Sequence, residues 1–303
     1  MLVRFFAAFA FADKKSLGYD PTIQPVGKLP LQFIITVFPN NDTQHPKRFQ
    51  TTDVISSYGA EPLRGRGTRV FEATELDSKG DKKGPSVVLK DIWIDSDRTR
   101  EGTILRTLYD EADEKDKKLV EKYFLTTVCH GDVWMEPGVL DDTGNGLMRG
   151  LDVTTYGTFE LQRKNSVVEK HVSGPGSEGL RATSRLHVPH LNLTYAHKTH
   201  YRIVFVERGT TIDLIPSLPD VMSTLSGTAS GASSCYHCRL RSLTFFHPAL
   251  QLLRKLGWVH RDVSIGNILE YEGGAKLADL EYAKRVGDLK RHEMRTASAS
   301  SIS

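Results

Sequence analysis

Two carboxylates and a carboxamide stand close together late in the sequence, within Trp258 to Lys284 (WVHRDVSIGNILEYEGGAKLADLEYAK). Asp262 and Asn267 are five residues apart, the apolar pair Ile268 and Leu269 follows, and a second apolar run, Ala275 to Ala278, ends at Asp279. This spacing predicts a loop carrying Asp262 and Asn267, a short strand that anchors it, and a returning strand that delivers Asp279. In-line phosphoryl transfer needs such groups: one carboxylate to orient the attacking hydroxyl, and an amide oxygen with a second carboxylate to hold a magnesium ion on the nucleotide. Oxygen ligands suit that hard cation.

The wording His260-Arg261-Asp262-x-x-x-x-Asn267, followed by a strand and an Asp, resembles the catalytic and metal-binding loops of eukaryotic-type protein kinases. The run HRDVSIGN is most similar to the fungal-type protein kinases. The resemblance implies ATP and magnesium as cofactors and a protein serine or threonine hydroxyl as acceptor. Asp262 becomes the base, and Asn267 and Asp279 the metal ligands. His260 and Arg261 are expected to be structural or regulatory.

The same resemblance assigns residues upstream. In Leu63 to Phe71 (LRGRGTRVF) a glycine-rich turn runs into a strand. Glycines let backbone amides approach phosphates, so Gly65 and Gly67 are candidates to cover the nucleotide, although no third glycine precedes Val70. Val87 to Trp93 (VVLKDIW) reads as a strand after a charged turn, Ser78 to Pro85. Its Lys90 resembles the kinase lysine that holds the alpha and beta phosphates; the plain alternative is a lysine snorkelling from a strand end. Glu101 opens a helix with Ile104, Leu105 and Leu108 on one face. Glu101 is the expected partner of Lys90, with Glu111 in reserve because eleven residues from lysine to glutamate is a short spacing. Tyr201 to Val206 (YRIVFV) reads as a buried strand, and Glu207 to Gly209 after it resembles the hinge whose backbone bonds adenine.

Positioning these groups calls for an α+β, bilobal protein-kinase-like fold: an antiparallel small-lobe sheet with one main helix, and a truncated helical large lobe. Residues 1–55 are expected to form an N-terminal helix and hairpin extension, 56–208 the small lobe, and 209–303 a partial large lobe with an insertion at 227–246. His292 to Thr296 resembles the start of the family's substrate-binding segment, and ASASSIS from Ala297 to Ser303 replaces what should follow. The shortened lobe is expected to leave the helix around Leu250, Leu253 and Leu256 partly uncovered, a surface open to a docking partner. Two further departures are Asp279-Leu280-Glu281 in place of D-F-G, which loses the flexible glycine, and Ser264 where many such kinases carry a lysine.

Bulk properties bound the alternatives. The 303 residues carry 40 Lys and Arg against 37 Asp and Glu, a net charge of +3, with no basic stripe that would suit nucleic acid. No apolar run is long enough to cross a bilayer. Three cysteines, Cys129, Cys235 and Cys238, suit a reducing compartment better than a disulfide scaffold. The opening MLVRFFAAFAFA reads either as a short signal peptide or as a helix whose Phe5, Phe6, Phe9 and Ala12 pack on the domain. The helix reading places the chain in the cytoplasm, with the nucleus also open to it. Cys235, His237, Cys238 and His247 offer zinc-type ligands without firm zinc spacing. A non-catalytic module that holds nucleotide or a protein partner, and a small-molecule kinase, are the competing functions.

Overall fold

A computed structural model describes residues 2–27, 32–57, 67–151, 197–215 and 247–288. Helix α1 (Leu2–Phe11) comes first, then strands β1 (Ile23–Val26), β2 (Gln32–Val37), β3 (Lys47–Ser57), β4 (Arg69–Leu76) and β5 (Lys82–Asp95). Helices α2 (Glu101–Glu111) and α3 (Glu114–Tyr123) precede β6 (Thr127–Asp132), β7 (Trp134–Glu136) and β8 (Val139–Leu140). After β9 (Lys198–Phe205) and β10 (Thr210–Thr211) come α4 (His247–Lys255), β11 (Trp258–Val259), β12 (Ile268–Tyr271), β13 (Gly274–Leu277) and β14 (Lys284–Arg285).

Seven strands form one antiparallel sheet in the order β1-β2-β3-β4-β5-β9-β6. The strand expected at Val87 to Trp93 is longer at both ends, because pairing with β4 continues through Lys82 and Lys83 and pairing with β9 through Ile94 and Asp95, and the turn shrinks to Asp77–Asp81. The sheet curls until the segment after β2 meets β6. Asn41 Oδ1 accepts the Asp132 N–H at 2.7 Å, and a Cβ at Gly131 would lie 1.8 Å from the Phe38 carbonyl oxygen. Only glycine allows that approach.

Strand alternation splits the sheet into two apolar faces. Ile35, Val37, Phe49, Phe71, Ala73, Val87, Leu89 and Val204 fill the inside of the curl. On the other face Ile92, Ile94, Tyr201, Ile203 and Phe205 pack with Ile104, Leu105 and Leu108 of α2. The same cluster takes in Leu252 and Leu253 of α4, Trp258, Leu277 and Leu280. Each large side chain fully buried here contributes on the order of 1.5–3 kcal/mol. One continuous core therefore joins the sheet to the elements around Asp262 and Asp279. The expected β12–β13 hairpin closes through Glu272 (φ +50°) and Gly273 (φ +75°), the pair of positive φ angles of a type I′ turn.

Two expectations of packing fail. Helix α1 forms, but Phe5, Phe6 and Phe9 are 59%, 60% and 60% exposed, and the Phe5 ring meets Phe6 edge-on at 5.6 Å and Phe9 at a tilt at 5.7 Å. Every residue of α1 but Arg4 is apolar, so it has no distinct stripe to lay down, and both described core faces are already filled from within. Conversely, Leu253 of α4 is 1% exposed, and Leu250 and Leu256 pack partly buried against the same core. Cover for that helix comes from α3 and β11.

The sheet also buries charge. Arg202, with no exposed surface, donates from Nε to Asp91 Oδ1 at 2.6 Å, from Nη1 to Thr22 Oγ1 at 2.7 Å and Thr36 O at 2.6 Å, and from Nη2 to Asp20 Oδ2 at 2.5 Å. His200 faces carboxylates on both sides: Nε2 lies 2.8 Å from Asp91 Oδ1, and Nδ1 lies 2.8 Å from Asp141 Oδ2 and 3.8 Å from Asp20 Oδ2. Both ring nitrogens can donate only in the imidazolium. Asp20, Asp91 and Asp141 are then balanced by Arg69, Arg202 and protonated His200. Burial alone would lower the His200 pKa, but Asp91 and the Asp141 hydrogen bond outweigh it and raise it.

A raised folded-state pKa gives stability that is complete below the ordinary imidazole value of 6.5 and is lost as pH climbs through the raised value. Urea midpoints of the parent should therefore fall above pH 6.5. In His200→Gln that part of the fall should vanish, and the variant should be less stable than the parent at the acid end of the window. Parallel curves for the two proteins would show that His200 does not titrate in this way.

Candidate active site

Lys90 and Glu101 meet as the resemblance implies. Lys90 Nζ lies 3.0 Å from Glu101 Oε2 and 2.8 Å from Asp279 Oδ1, and Glu101 is 3% exposed. The short spacing suffices because β5 ends at Asp95 and Glu101 is the first residue of α2. Glu111, at the far end of the helix, pairs with Arg285 instead. The other oxygen of Glu101 accepts the Leu280 N–H at 3.0 Å, so one carboxylate ties α2 both to the lysine and to the segment after Asp279. Burial would strip the lysine of its proton. The carboxylates of Asp279, Glu101 and Glu281 reverse that and hold its pKa well above the ordinary lysine range.

The start of α2 is set by a close approach. Gly102 N–H donates to Tyr201 Oη at 3.0 Å, and a Cβ at Gly102 would lie 2.1 Å from the His130 ring. The helix thus lies flush against β6 and β9 and aims Glu101 at Lys90. His130 is held neutral by its burial, with its pKa lowered to about 4.

The segments that carry Asp262, Asn267 and Asp279 are tied together by one backbone bond and by side chains that bond the backbone. Ala278 N–H donates to Asn267 O at 2.8 Å, one step beyond the Ile268–Leu277 register pair, and Asp279 is the next residue. Asn267 Nδ2 donates to Asp262 O at 2.7 Å. Buried His260 donates from Nε2 to Ala278 O at 3.1 Å, and its Nδ1 accepts the Asp262 N–H at 3.3 Å. That pattern belongs to the neutral ring, in keeping with a pKa lowered by burial. His260 is therefore structural, a bolt between the two loops. Arg261 (φ +69°) and Asp279 (φ +62°) are left-handed, a cost of about 1–2 kcal/mol each that the surrounding bonds sustain.

The donor set suits magnesium. With its NH2 engaged by Asp262 O, Asn267 presents its amide oxygen, and Asp279 adds a carboxylate, both hard oxygen donors. A second group, Asp20, Asp141 and His200, has ligand atoms all within 4.8 Å of one another. There Arg202 bonds Asp20 and His200 bonds Asp141, so the protein itself supplies the positive charge.

The remaining candidates divide. Gly67 is left-handed (φ +51°) two residues before β4, and Gly65 lies outside the described residues. Glu207 sends its buried carboxylate to Thr126, to N–H at 2.8 Å and Oγ1 at 2.7 Å, and to Lys276 Nζ at 2.8 Å, so that this residue has its backbone to offer a ligand. At Gly209 a Cβ would lie 2.7 Å from Leu269 Cβ, so glycine lets the chain pass close over β12. The zinc-type residues Cys235, His237 and Cys238, the insertion at 227–246, and the side chain of His247 fall outside the described residues. Cys129 is buried, which pushes its thiol up to about 12. Sequence reasoning treated Glu281 only as a lost glycine, whereas its buried charge helps hold the proton of Lys90.

Residues 1–241 match the family described as fungal protein kinase. Asp262, Asn267 and Asp279 lie beyond the matched span. No curated protein matches the chain. Among solved structures, that of vaccinia related kinase 3 is similar at 12% identity and a TM-score of 0.39, covering 90% of this chain. The chain spans 57% of that protein's structure.

The Gly102–His130 contact makes a direct prediction. Gly102→Ala should destabilise the fold by about 1–3 kcal/mol through overpacking, measured by urea unfolding. His130→Ala should recover part of that loss in the double variant, because the added methyl then has room. Strictly additive effects would show that the ring does not set the position of α2.

Proposed function

The chain belongs to the fungal protein kinase family, and on that premise we propose that it binds Mg-ATP and phosphorylates a serine or threonine hydroxyl of a protein. The observation that carries this reading is the buried lysine cluster. Lys90 Nζ bonds both Glu101 and Asp279, gathering β5, α2 and the segment after β13 around one charge. Lys90 binds the alpha and beta phosphates and Glu101 positions it, while the turn at Gly65 and Gly67 covers the nucleotide and the backbone of Glu207 to Gly209 bonds adenine. Asp262 orients the acceptor hydroxyl and takes its proton as the oxygen bonds the terminal phosphorus and the bond to ADP breaks. Asn267 and Asp279 would hold magnesium, which offsets the charge of the phosphates.

A non-catalytic, nucleotide-binding or partner-binding module is the second reading. It draws on the crowding of Lys90 by Asp279, Glu101 and Glu281, an acidic set that a bound nucleotide must share.

Nucleotide binding comes first in the test. Mg-ATP at a hundred times its Kd should stabilise the parent by about 2.7 kcal/mol. Lys90→Met should abolish binding in a calorimeter, and should itself cost about 3–5 kcal/mol of stability because buried carboxylates lose their cation. Asp262→Asn should bind Mg-ATP as the parent does and lose phosphoryl transfer about a hundredfold or more. A parent that binds Mg-ATP yet transfers nothing to a broad panel of proteins would hand the argument to the non-catalytic module.

A further inference from the structure

Between α2, α3 and β6 lies an open cavity of about 420 Å³. Small-molecule sites run from about 300 to 1,000 Å³. None of Lys90, Glu101, Asp262, Asn267 or Asp279 lines it, so it is separate from the candidate active site. Leu105 of α2, Val120 of α3 and Leu125 give it apolar walls, and β6 forms its floor from Thr127 to His130. The floor is irregular: the register of β6 on β9 shifts between Thr127 and Cys129, a bulge of the kind that re-aims side chains beside binding sites. It also carries two polar atoms, Thr127 Oγ1 and His130 Nδ1, that are buried with no hydrogen-bond partner. Native proteins leave few such atoms, and each calls for a physical reason.

One end of the cavity is cationic. Arg106 has no carboxylate partner among the described residues; its hydrogen bond runs from Nη2 to Asn40 Oδ1 at 3.0 Å, and Asn40 makes it from a left-handed backbone (φ +52°). A guanidinium has five donors, so most of this one is uncommitted. Burial, and after it the charge of Arg106, keeps the His130 ring neutral, which places the guanidinium close to that ring. The neighbouring Lys47 is already paired with Glu75 at 3.3 Å. The one carboxylate on the cavity wall, Glu121, belongs to α3, which precedes the start of β6, whereas Arg106 and Asn40 gather toward its end.

We propose that this cavity is a second ligand site, for a small molecule with one carboxylate on an extended apolar body, the carboxylate bonding Arg106 and the body lying along Leu105, Val120 and Leu125. The planar fork of arginine matches a carboxylate in shape as well as charge. From Thr127 to His130 the floor advances about 10 Å, room for a chain of roughly eight carbons. The proposal does not depend on the nucleotide reading, because the two sites share no residue. It does give α2 two separate faces, with Glu101 turned to Lys90 and Leu105 and Arg106 turned to the cavity.

The test titrates the full chain with octanoate, and with 1-octanol as its uncharged counterpart, in a calorimeter. Parent, Arg106→Gln and Arg106→Lys are compared, each with a urea midpoint. Octanoate should bind the parent with a Kd on the order of 1 mM or lower. Octanol on the parent, and octanoate on Arg106→Gln, should each bind roughly tenfold more weakly, the loss expected for a hydrogen bond between charged groups. Arg106→Lys should fall between. Methyl NMR signals of Leu105, Val120 and Leu125 should shift as octanoate is added, and saturating ADP should leave the octanoate Kd unchanged. If Arg106→Gln lowers the urea midpoint, the preference of the parent for octanoate over octanol and the shifted methyl signals decide the matter instead. The proposal is overturned if octanoate shows no saturable binding, if Arg106→Gln at an unaltered midpoint binds it as the parent does, or if ADP displaces it.

Discussion

A lysine ammonium out of water is the constraint on which the described fold depends. Desolvating such an ion costs several kcal/mol, and only close carboxylates offset it. Lys90 finds them on two separate elements, Glu101 at the first residue of α2 and Asp279 after β13. Neither element can move away alone without leaving a charge stranded. The pairing therefore does for the polar site what Ile104, Leu108, Leu253, Leu277 and Leu280 do for the core beside it. Apolar packing brings these elements together with little directional preference; the ion pairs select one arrangement among the packed ones.

Strand β5 carries a second charged cluster on its other face. There the roles are inverted, with a buried carboxylate, Asp91, held by the cations Arg69, Arg202 and His200. Adjacent residues thus anchor opposite networks, one facing α2 and the candidate site, the other facing the N-terminal segment and the loop at Asp141. A single strand fixed from both sides has little freedom to twist or slide. That rigidity is what a site built on positioning requires.

Spacing in the sequence was informative where the structure is local or where a motif spans one hairpin. The β12–β13 hairpin and the apolar stripe of α2 are of this kind, whereas the pairing of Lys90 with Glu101 followed from the family resemblance, its spacing being short. The clusters at Asp91 and Glu281 were not legible, because each joins residues far apart in the chain, 182 residues for Arg202 and Asp20 and 189 for Lys90 and Asp279. A signal did exist: Arg202 stands in the middle of the otherwise apolar run YRIVFV, and a buried guanidinium demands a carboxylate. Which carboxylate answers it is decided by strand register, and periodicity alone does not fix register. Helix α1 shows the opposite failure. Its composition marks it as apolar, but with apolar residues on every side nothing in the sequence says which surface receives it.

The segment Asp279-Leu280-Glu281 gathers these strands of argument. Loss of a glycine there removes backbone freedom, and three separate contacts show how the segment is held instead. Asp279 bonds Lys90 from a left-handed backbone, the Leu280 N–H bonds Glu101, and the Leu280 side chain is 1% exposed in the main core. Swinging the segment outward would expose that leucine at about 1.5–3 kcal/mol, break the bond to Glu101 and withdraw a carboxylate from Lys90. These losses reinforce one another because they share Glu101. The metal-ligand candidate is therefore fixed in place by packing and charge before any ligand arrives, and the residue that stands for the missing glycine, Glu281, contributes buried negative charge to the same lysine. Preorganisation takes the place of a hinge.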